Sequence, residues 1–485
     1  MQSSKKWSAW SPSVRRRDFA ALASYTRGMT RHGASAILKS LPDINLVFVT
    51  YIAGYLLAFV FQVLVARGLG TSGRGAYEVT LLTISITQAV LGLGVGVASL
   101  YYVGKGTYAL RDLLSNSQSV VLASTLVSGL LVLLAAATFG SKLLAEGVPY
   151  WVFVFGVPLF LNFNLLVAFL QAENRFLAMN AVVLVRPVIM VALLVAGVLA
   201  GGLTTTNVFV FWAIALLASV LLALPLLGLR NLHLPTILWP RWPVLKEQVK
   251  FGVQGQAGNI LQLLNYRFDK YIALAFVGLS GVGIYAVGVG VTESIWFISN
   301  AVAVVLLPRL TRAGRDEAAH LTPLFCRHTI FLSLLGAVAV GALSPFLLPL
   351  MFGSDFSPAV TAVWWLLPGT VALAGTKVLA AYIFSRGKPL INTYITVATL
   401  AVTVAADLAL IPVFGVPGAA AASSLAYGVS LVLSLAVYRR LSGQPLWSAI
   451  AINAADLRLY LLAARFAWSR RPLASPVAGD LEGRA

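Results

Sequence analysis

Gly70-Thr-Ser-Gly-Arg-Gly-Ala-Tyr77 returns 208 positions later as Gly278-Leu-Ser-Gly-Val-Gly-Ile-Tyr285, each copy lying between two long apolar runs. Five of the eight positions are identical, and each copy follows the first apolar run of its half. Glycine-rich turns do recur by chance between antiparallel membrane helices, but the shared register points to a duplicated unit. A duplication of this kind, with a binding site at the seam of its halves, is typical of secondary transporters.

Working outward from the repeat, 59% of the 485 residues are apolar and 11% are charged, less than half the charged share of an ordinary soluble domain. A helix needs about 20 apolar residues to cross a hydrocarbon layer. Twelve such runs are present, at 44–66, 78–103, 118–138, 150–170, 178–200, 206–228, 252–277, 284–308, 329–350, 360–384, 390–412 and 416–438. No alternation at a period of two marks a membrane barrel, so the expected fold is an all-α polytopic membrane protein.

The formal net charge of +19 reads as orientation rather than as nucleic-acid binding. Alternate loops and the two terminal segments hold 28 of the 35 Lys and Arg residues, and the opposite loops hold only Arg67, Arg74 and Lys142. The positive-inside rule then places both termini in the cytoplasm. The first 43 residues are too long and too charged for a cleavable signal, so the first apolar run is expected to remain as an anchor. The single cysteine, Cys326, excludes an internal disulfide.

Each half has six spans, so both copies enter the membrane from the same side and form a parallel repeat about an axis near the membrane normal. The expected divisions are a basic N-terminal segment (1–43), a first lobe (44–228), a linker (229–249) with Pro235, Pro240 and Pro243, a second lobe (250–438) and a basic tail (439–485). Within the tail, Leu446 to Trp468 fits an interfacial amphipathic helix as well as it fits a disordered basic segment. Arg175 and Lys388, 213 residues apart after the fourth and tenth spans, form a second echo of the duplication.

Embedded charge directs the search for function, because a lone Arg or Lys near mid-bilayer costs about 2.5–3.5 kcal/mol even on the lenient insertion scale. Arg186 precedes Pro187 in the fifth span, a residue expected to kink the helix, and Lys377 lies in the tenth. In the seventh span Gln256, Asn259, Gln262, Tyr266, Asp269 and Lys270 follow at steps of mainly three and four, one helical face with Arg267 at its edge. Asp269 lies nine residues below Gly278, roughly 13 Å at the helical rise and near the midplane. The alternatives for these cations are snorkelling to the interface or an internal ion pair with Asp269, Glu293 or Asp407. Otherwise they define a wet, positive chamber suited to phosphate, which arginine grips in a bidentate fork. Asn162, Asn164, Gln171, Asn259, Gln262 and Asn300 offer hydrogen bonds to sugar hydroxyls, although helix packing uses such residues as often.

The stretch Val65-Ala-Arg-Gly-Leu-Gly-Thr-Ser-Gly-Arg-Gly-Ala-Tyr77, the glycine-rich Gly92-Leu-Gly-Val-Gly96, and Asn265-Tyr-Arg-Phe-Asp-Lys270 with Gly281-Val-Gly-Ile-Tyr285 together resemble the oligosaccharide flippases of the multidrug/oligosaccharidyl-lipid/polysaccharide exporter superfamily. The resemblance covers about residues 44–440 and leaves the long basic N-terminus outside it. It implies two six-helix bundles around a V-shaped cavity and alternating access in the bacterial inner membrane. The implied cargo is an undecaprenyl-pyrophosphate-linked oligosaccharide, with membrane lipids, a polysaccharide polymerase and chain-length proteins as partners. The family's recurrent acidic position in span seven falls on Asp269, and its cationic cavity is matched in type by Arg186, Arg267, Lys270 and Lys377. With Asn259 and Gln262 these cations are the candidate substrate contacts, and the embedded acids Asp269, Glu293 and Asp407 are the candidates for coupling to a proton or sodium gradient. A lipid II flippase and a drug/cation antiporter of the same superfamily are the nearest alternatives; the excess of embedded cations argues against the antiporter.

An enzyme is not expected. A membrane polymerase or ligase needs a large outer loop with catalytic groups, and these outer loops hold little beyond Arg67, Arg74, Lys142, Glu146 and Asp355. No P-loop is present, and the Gly-x-Gly stretches follow no strand. His32, His233, His320 and His328 form no metal motif, so no cofactor is expected.

Overall fold

Gly70 and Gly278 adopt the same left-handed, turn-making backbone, φ 68°, ψ −172° and φ 65°, ψ −174°, a conformation that only glycine takes without strain. The computed structural model describes residues 31–139, 148–228, 234–453 and 456, with 31–52, 139 and 234 described by backbone alone. Most of the N-terminal segment, part of the linker and most of the tail, including the proposed interfacial stretch beyond 456, lie outside the described residues.

The helices are α1 (Arg31–Leu91), α2 (Val95–Lys105), α3 (Leu110–Phe139), α4 (Trp151–Ala172), α5 (Phe176–Leu199), α6 (Thr205–Leu227), the short α7 (Leu234–Leu238), and α8 (Trp242–Arg267). They continue as α9 (Asp269–Glu293), α10 (Trp296–Arg312), α11 (Arg315–Phe352), α12 (Ala359–Ser385), α13 (Pro389–Phe414), α14 (Val416–Ser442) and the short α15 (Trp447–Ile450). Among the described residues there is no strand. At 1.5 Å per residue, the 61 residues of α1 would make a straight rod of roughly 90 Å, three times the hydrocarbon thickness. The break at Gly70 divides α1 into two crossings, and Gly278 does the same for the run through α8 and α9. Ten apolar helical runs, two of them doubled in this way, give the twelve spans expected. Their outer faces leave Leu126, Leu199 and Phe346 more than two-thirds exposed, as suits helices whose solvent is lipid.

The second echo is also present in the backbone. After α4, Asn174 takes φ 56° and the Arg175 amide donates to the Leu170 carbonyl. After α12, Gly387 takes φ 70° and Lys388 donates to Ile383. Both turns close their helix with the left-handed cap and the long return bond of a Schellman motif, 213 residues apart. Each lobe then packs its own core, the first around Tyr77, Phe169, Phe209 and Trp212, the second around Tyr382 and Tyr438 near the basic loops and Tyr285 farther in.

The two copies of the octapeptide meet. A Cβ on Gly75 would lie 1.9 Å from the Leu279 carbonyl oxygen, and one on Gly283 would lie 2.0 Å from that of Thr71. The two contacts are the same pair of positions with partners exchanged, as around a two-fold axis. Ser280 donates to the Thr71 hydroxyl at 2.8 Å. Arg67 of α1 donates to the Met351 carbonyl at 2.7 Å and to that of Leu350, capping the C-terminal end of α11. The face opposite the basic loops is therefore shut by backbone packed on backbone.

Spans two, seven and eight are each interrupted. Leu93 and Gly94 are left-handed between α1 and α2, Phe268 separates α8 from α9, and Ser294 with Ile295 separates α9 from α10. Helix α8 begins at Trp242, inside the segment read as a linker, and its lower part docks on the first lobe. Arg241 pairs with Asp112 at 2.7 Å, Gln248 reaches Ser99 and Ser117, and Gly252 lies against the backbone of Gly94. Near the basic face, Arg327 grips Asp456 at 2.7 Å and 2.9 Å and holds that carboxyl below the usual carboxylate range.

Candidate functional site

A chamber of about 640 Å³ opens at the seam between the first limb of α1 and the α9–α10 junction, lined by Tyr55, Phe59, Gln62, Arg267, Glu293, Trp296, Asn300 and Lys377. Tyr55 and Ala58 are shared with a second space of about 450 Å³ that reaches Gln171, Asn180, Arg186 and Pro187. Tyr266, Asn300 and Lys377 are shared with a third of about 320 Å³, where Gln262, Asn392 and Thr396 lie. The spaces are contiguous and span both lobes. Tyr55 is 15 residues before Gly70, roughly 22 Å along the helix, so the chamber lies toward the basic face and below the shut one.

Two of the four predicted cations, Arg267 and Lys377, line the chamber, and a third, Arg186, lines the second space. Arg186 has the rings of Phe160 and Phe163 at 5.9 and 5.2 Å and, among the described residues, no acidic partner. Helix α5 runs through Pro187 without a break, so helical phase rather than a helix break turns Arg186 inward. Lys377 donates to Asn300 Oδ1 at 2.9 Å and lies 4.3 Å from the Trp296 ring centroid, a cation–π contact; it too has no acidic partner among the described residues. Arg267 is paired in a fork with Glu293 at 2.8 and 2.9 Å. Of the three acids considered as ion-pair partners, it is Glu293 that it meets.

Lys270 is placed elsewhere. It is buried and bonded to Glu78, which also pairs with Arg74 at 2.9 Å, and Arg74 donates to Gln62. The polar face of span seven divides at Phe268, a helical residue between α8 and α9: Gln262 and Arg267 before it face the chamber spaces, and Asp269 and Lys270 after it are buried in the bundle. Asn259 is exposed and touches Gln256 at 3.3 Å, outside these spaces, whereas Gln262 lines the third and accepts from Thr396 at 3.4 Å. Glu78 escaped the sequence reading because it stands at the first residue of an apolar run. Its i,i+4 spacing from Arg74 was the available signal.

Asp269 and Asp407 lie in the second lobe, apart from the chamber. Asp269 accepts from Tyr285 at 2.5 Å, from Ser423 at 3.3 Å and from the Lys270 amide at 2.8 Å. Asp407 is fully buried, and among the described residues neither of its carboxyl oxygens has a hydrogen-bond partner, a costly state for a polar group. Among the described residues no cluster of His, Cys, Asp or Glu gathers to hold a transition metal.

The sequence model of the family described as lipid II flippase MurJ matches residues 107–472. No curated protein matches. Among solved structures, the lipid II flippase MurJ in an inward closed conformation is similar at a TM-score of 0.69 and 12% identity, over 88% of this chain and 93% of that one. An inward-facing multidrug resistance MATE family transporter of the MOP superfamily gives 0.68 and 13% identity, over 82% and 96%. The MATE multidrug transporter DinF-BH gives 0.57 and 17% identity, over 82% and 95%.

Proposed function

This chain belongs to the lipid II flippase MurJ family, and from that premise we propose that it moves a polyprenyl-diphosphate-linked saccharide from the cytoplasmic to the outer face of the bacterial inner membrane. The observation that carries the reading is the chamber with the space beside it, where Lys377 and Arg186 stand at the seam of two lobes without ion-pair partners among the described residues. A diphosphate supplies the missing negative charge, and arginine and lysine are suited to its oxygens. The polyprenyl tail stays in lipid while the head group enters between α1 and α10. Rocking about the chamber then separates the paired octapeptides and exposes the head group to the other side.

An oligosaccharide repeat unit for polysaccharide biosynthesis is the cargo read from the sequence motifs. Lipid II is the second reading, favoured by the family match. Deletion separates them: loss of a lipid II flippase is lethal, and loss of a dedicated polysaccharide flippase leaves a viable cell without its polymer. In proteoliposomes loaded with a diphosphate-linked glycolipid, Arg186→Ala and Lys377→Ala should each lower flipping about 10- to 100-fold, as expected for a lost charge-assisted bond. Unchanged rates at normal membrane levels would remove these residues from the substrate path.

Asp407 is the proposed coupling group, since a buried carboxyl without hydrogen-bond partners among the described residues is poised to take a proton or a cation, and the buried Asp269 of the same lobe, held by Tyr285 and Ser423, is proposed beside it. Asp407→Asn should make flipping insensitive to an imposed proton or sodium gradient while diphosphate binding is retained. A gradient response equal to that of the unsubstituted protein would exclude this role.

A further inference from the structure

We propose that Glu293 is a built-in competitor for the cargo's anion: in the empty chamber it occupies the Arg267 guanidinium, and a diphosphate binds there by displacing it. The inference rests on the chamber being a diphosphate site. Of the cations in the chamber and the space beside it, Arg267 is the one that carries a carboxylate among the described residues: Nη2 donates to Glu293 Oε2 at 2.9 Å, and Nη1 lies 2.8 Å from Oε1 as an ion contact. Two oxygens of one anion thus stand at the two terminal nitrogens, the positions two phosphate oxygens would take. The pair is open to the chamber, with side-chain exposures of 28% and 22%; in the other cluster Glu78 is 20% exposed but its cations Arg74 and Lys270 are sealed at 1% and 2%. An incoming anion can reach the first pair but not the second cluster.

Position adds to the argument. Glu293 is the last residue of α9, where the backbone tightens through Ser294 and Ile295 into α10, and it lines the chamber itself. Among the described residues Arg267 is its only ion-pair partner, so little else holds the carboxylate once a stronger anion arrives. The device selects as well as competes. Replacing both contacts takes two anionic oxygens in one ligand, so a diphosphate gains more than a monophosphate, and isolated small anions are held off the guanidinium.

Titration calorimetry on the full chain in nanodiscs, with farnesyl diphosphate and farnesyl monophosphate as probes, tests this. Glu293→Gln should bind the diphosphate about tenfold tighter than the unsubstituted protein, the scale expected for a close, half-buried charge pair. Glu293→Ala should show the same gain, so that a folding defect in one variant does not decide the matter, and Arg267→Gln should abolish it. The ratio of diphosphate to monophosphate affinity should fall in Glu293→Gln. If Glu293→Gln and Glu293→Ala bind no tighter while Lys377→Gln still weakens binding, competition is overturned and the diphosphate chamber stands. If no protein binds farnesyl diphosphate and Lys377→Gln changes nothing, the chamber reading fails and the competitor falls with it.

Discussion

Gly75→Leu is expected to abolish flipping while leaving a folded, membrane-inserted protein, because it forces apart the contact that shuts the face opposite the basic loops. A side chain on Gly75 would begin 1.9 Å from the Leu279 carbonyl oxygen, far inside van der Waals contact, and both sides are backbone, so no rotamer change relieves it. Overpacking costs typically 1–3 kcal/mol where side chains can yield. A bias of 3 kcal/mol against the shut state alone changes its population by more than about 100-fold. The readout is a cysteine pair. With Cys326→Ser removing the native thiol, Thr71→Cys with Ser280→Cys replaces two hydroxyls 2.8 Å apart, and these should cross-link under mild oxidation and arrest transport until reduced. Adding Gly75→Leu should bring cross-linking to background. Unchanged cross-linking would show that the octapeptides do not form the closure, and Gly283→Leu should reproduce the result from the other lobe.

Glu78→Gln is expected to produce the largest loss of stability. It leaves Arg74 and Lys270, both almost fully buried, without their shared anion, and breaking a buried ion pair from one side costs about 3–5 kcal/mol. Lys270→Gln in the same chain should recover much of the loss, since removing both partners avoids an uncompensated charge while Arg74 keeps Gln62. Thermal unfolding in detergent measures both. A Glu78→Gln midpoint equal to that of the unsubstituted protein would mean the cluster is solvated, against the geometry. An additive double variant would mean that Glu78 and Lys270 do not interact.

Much of the architecture was legible because membrane crossing is a constraint on composition over twenty residues at a time, which local irregularity does not erase. The octapeptide at 70 and 278 and the turns at Asn174 and Gly387 could be matched in sequence because left-handed backbone demands particular residues. Charge in the membrane likewise exposed Arg186, Arg267 and Lys377 as inward-facing. Partners were harder to read. Whether Lys270 meets Asp269, its neighbour in sequence, or Glu78, 192 residues earlier, depends on how span two packs against span seven, and no local residue pattern fixes that. Asn259 fell outside the chamber for a related reason, since its half of span seven leans on the first lobe.

That lean changes what counts as a moving part. Tethered through Arg241, Gln248 and Gly252 to Asp112, Ser99 and Gly94, the lower half of the seventh span is built from the second gene copy but anchored to the product of the first. The duplication boundary in the sequence and the packing boundary in the fold therefore do not coincide: the chain passes from one bundle to the other within span seven rather than near residue 240. A fluorophore on Val253 should travel with the amino-terminal bundle and one on Leu274 with the carboxy-terminal bundle, two reporters on one rod that part company during the transport cycle.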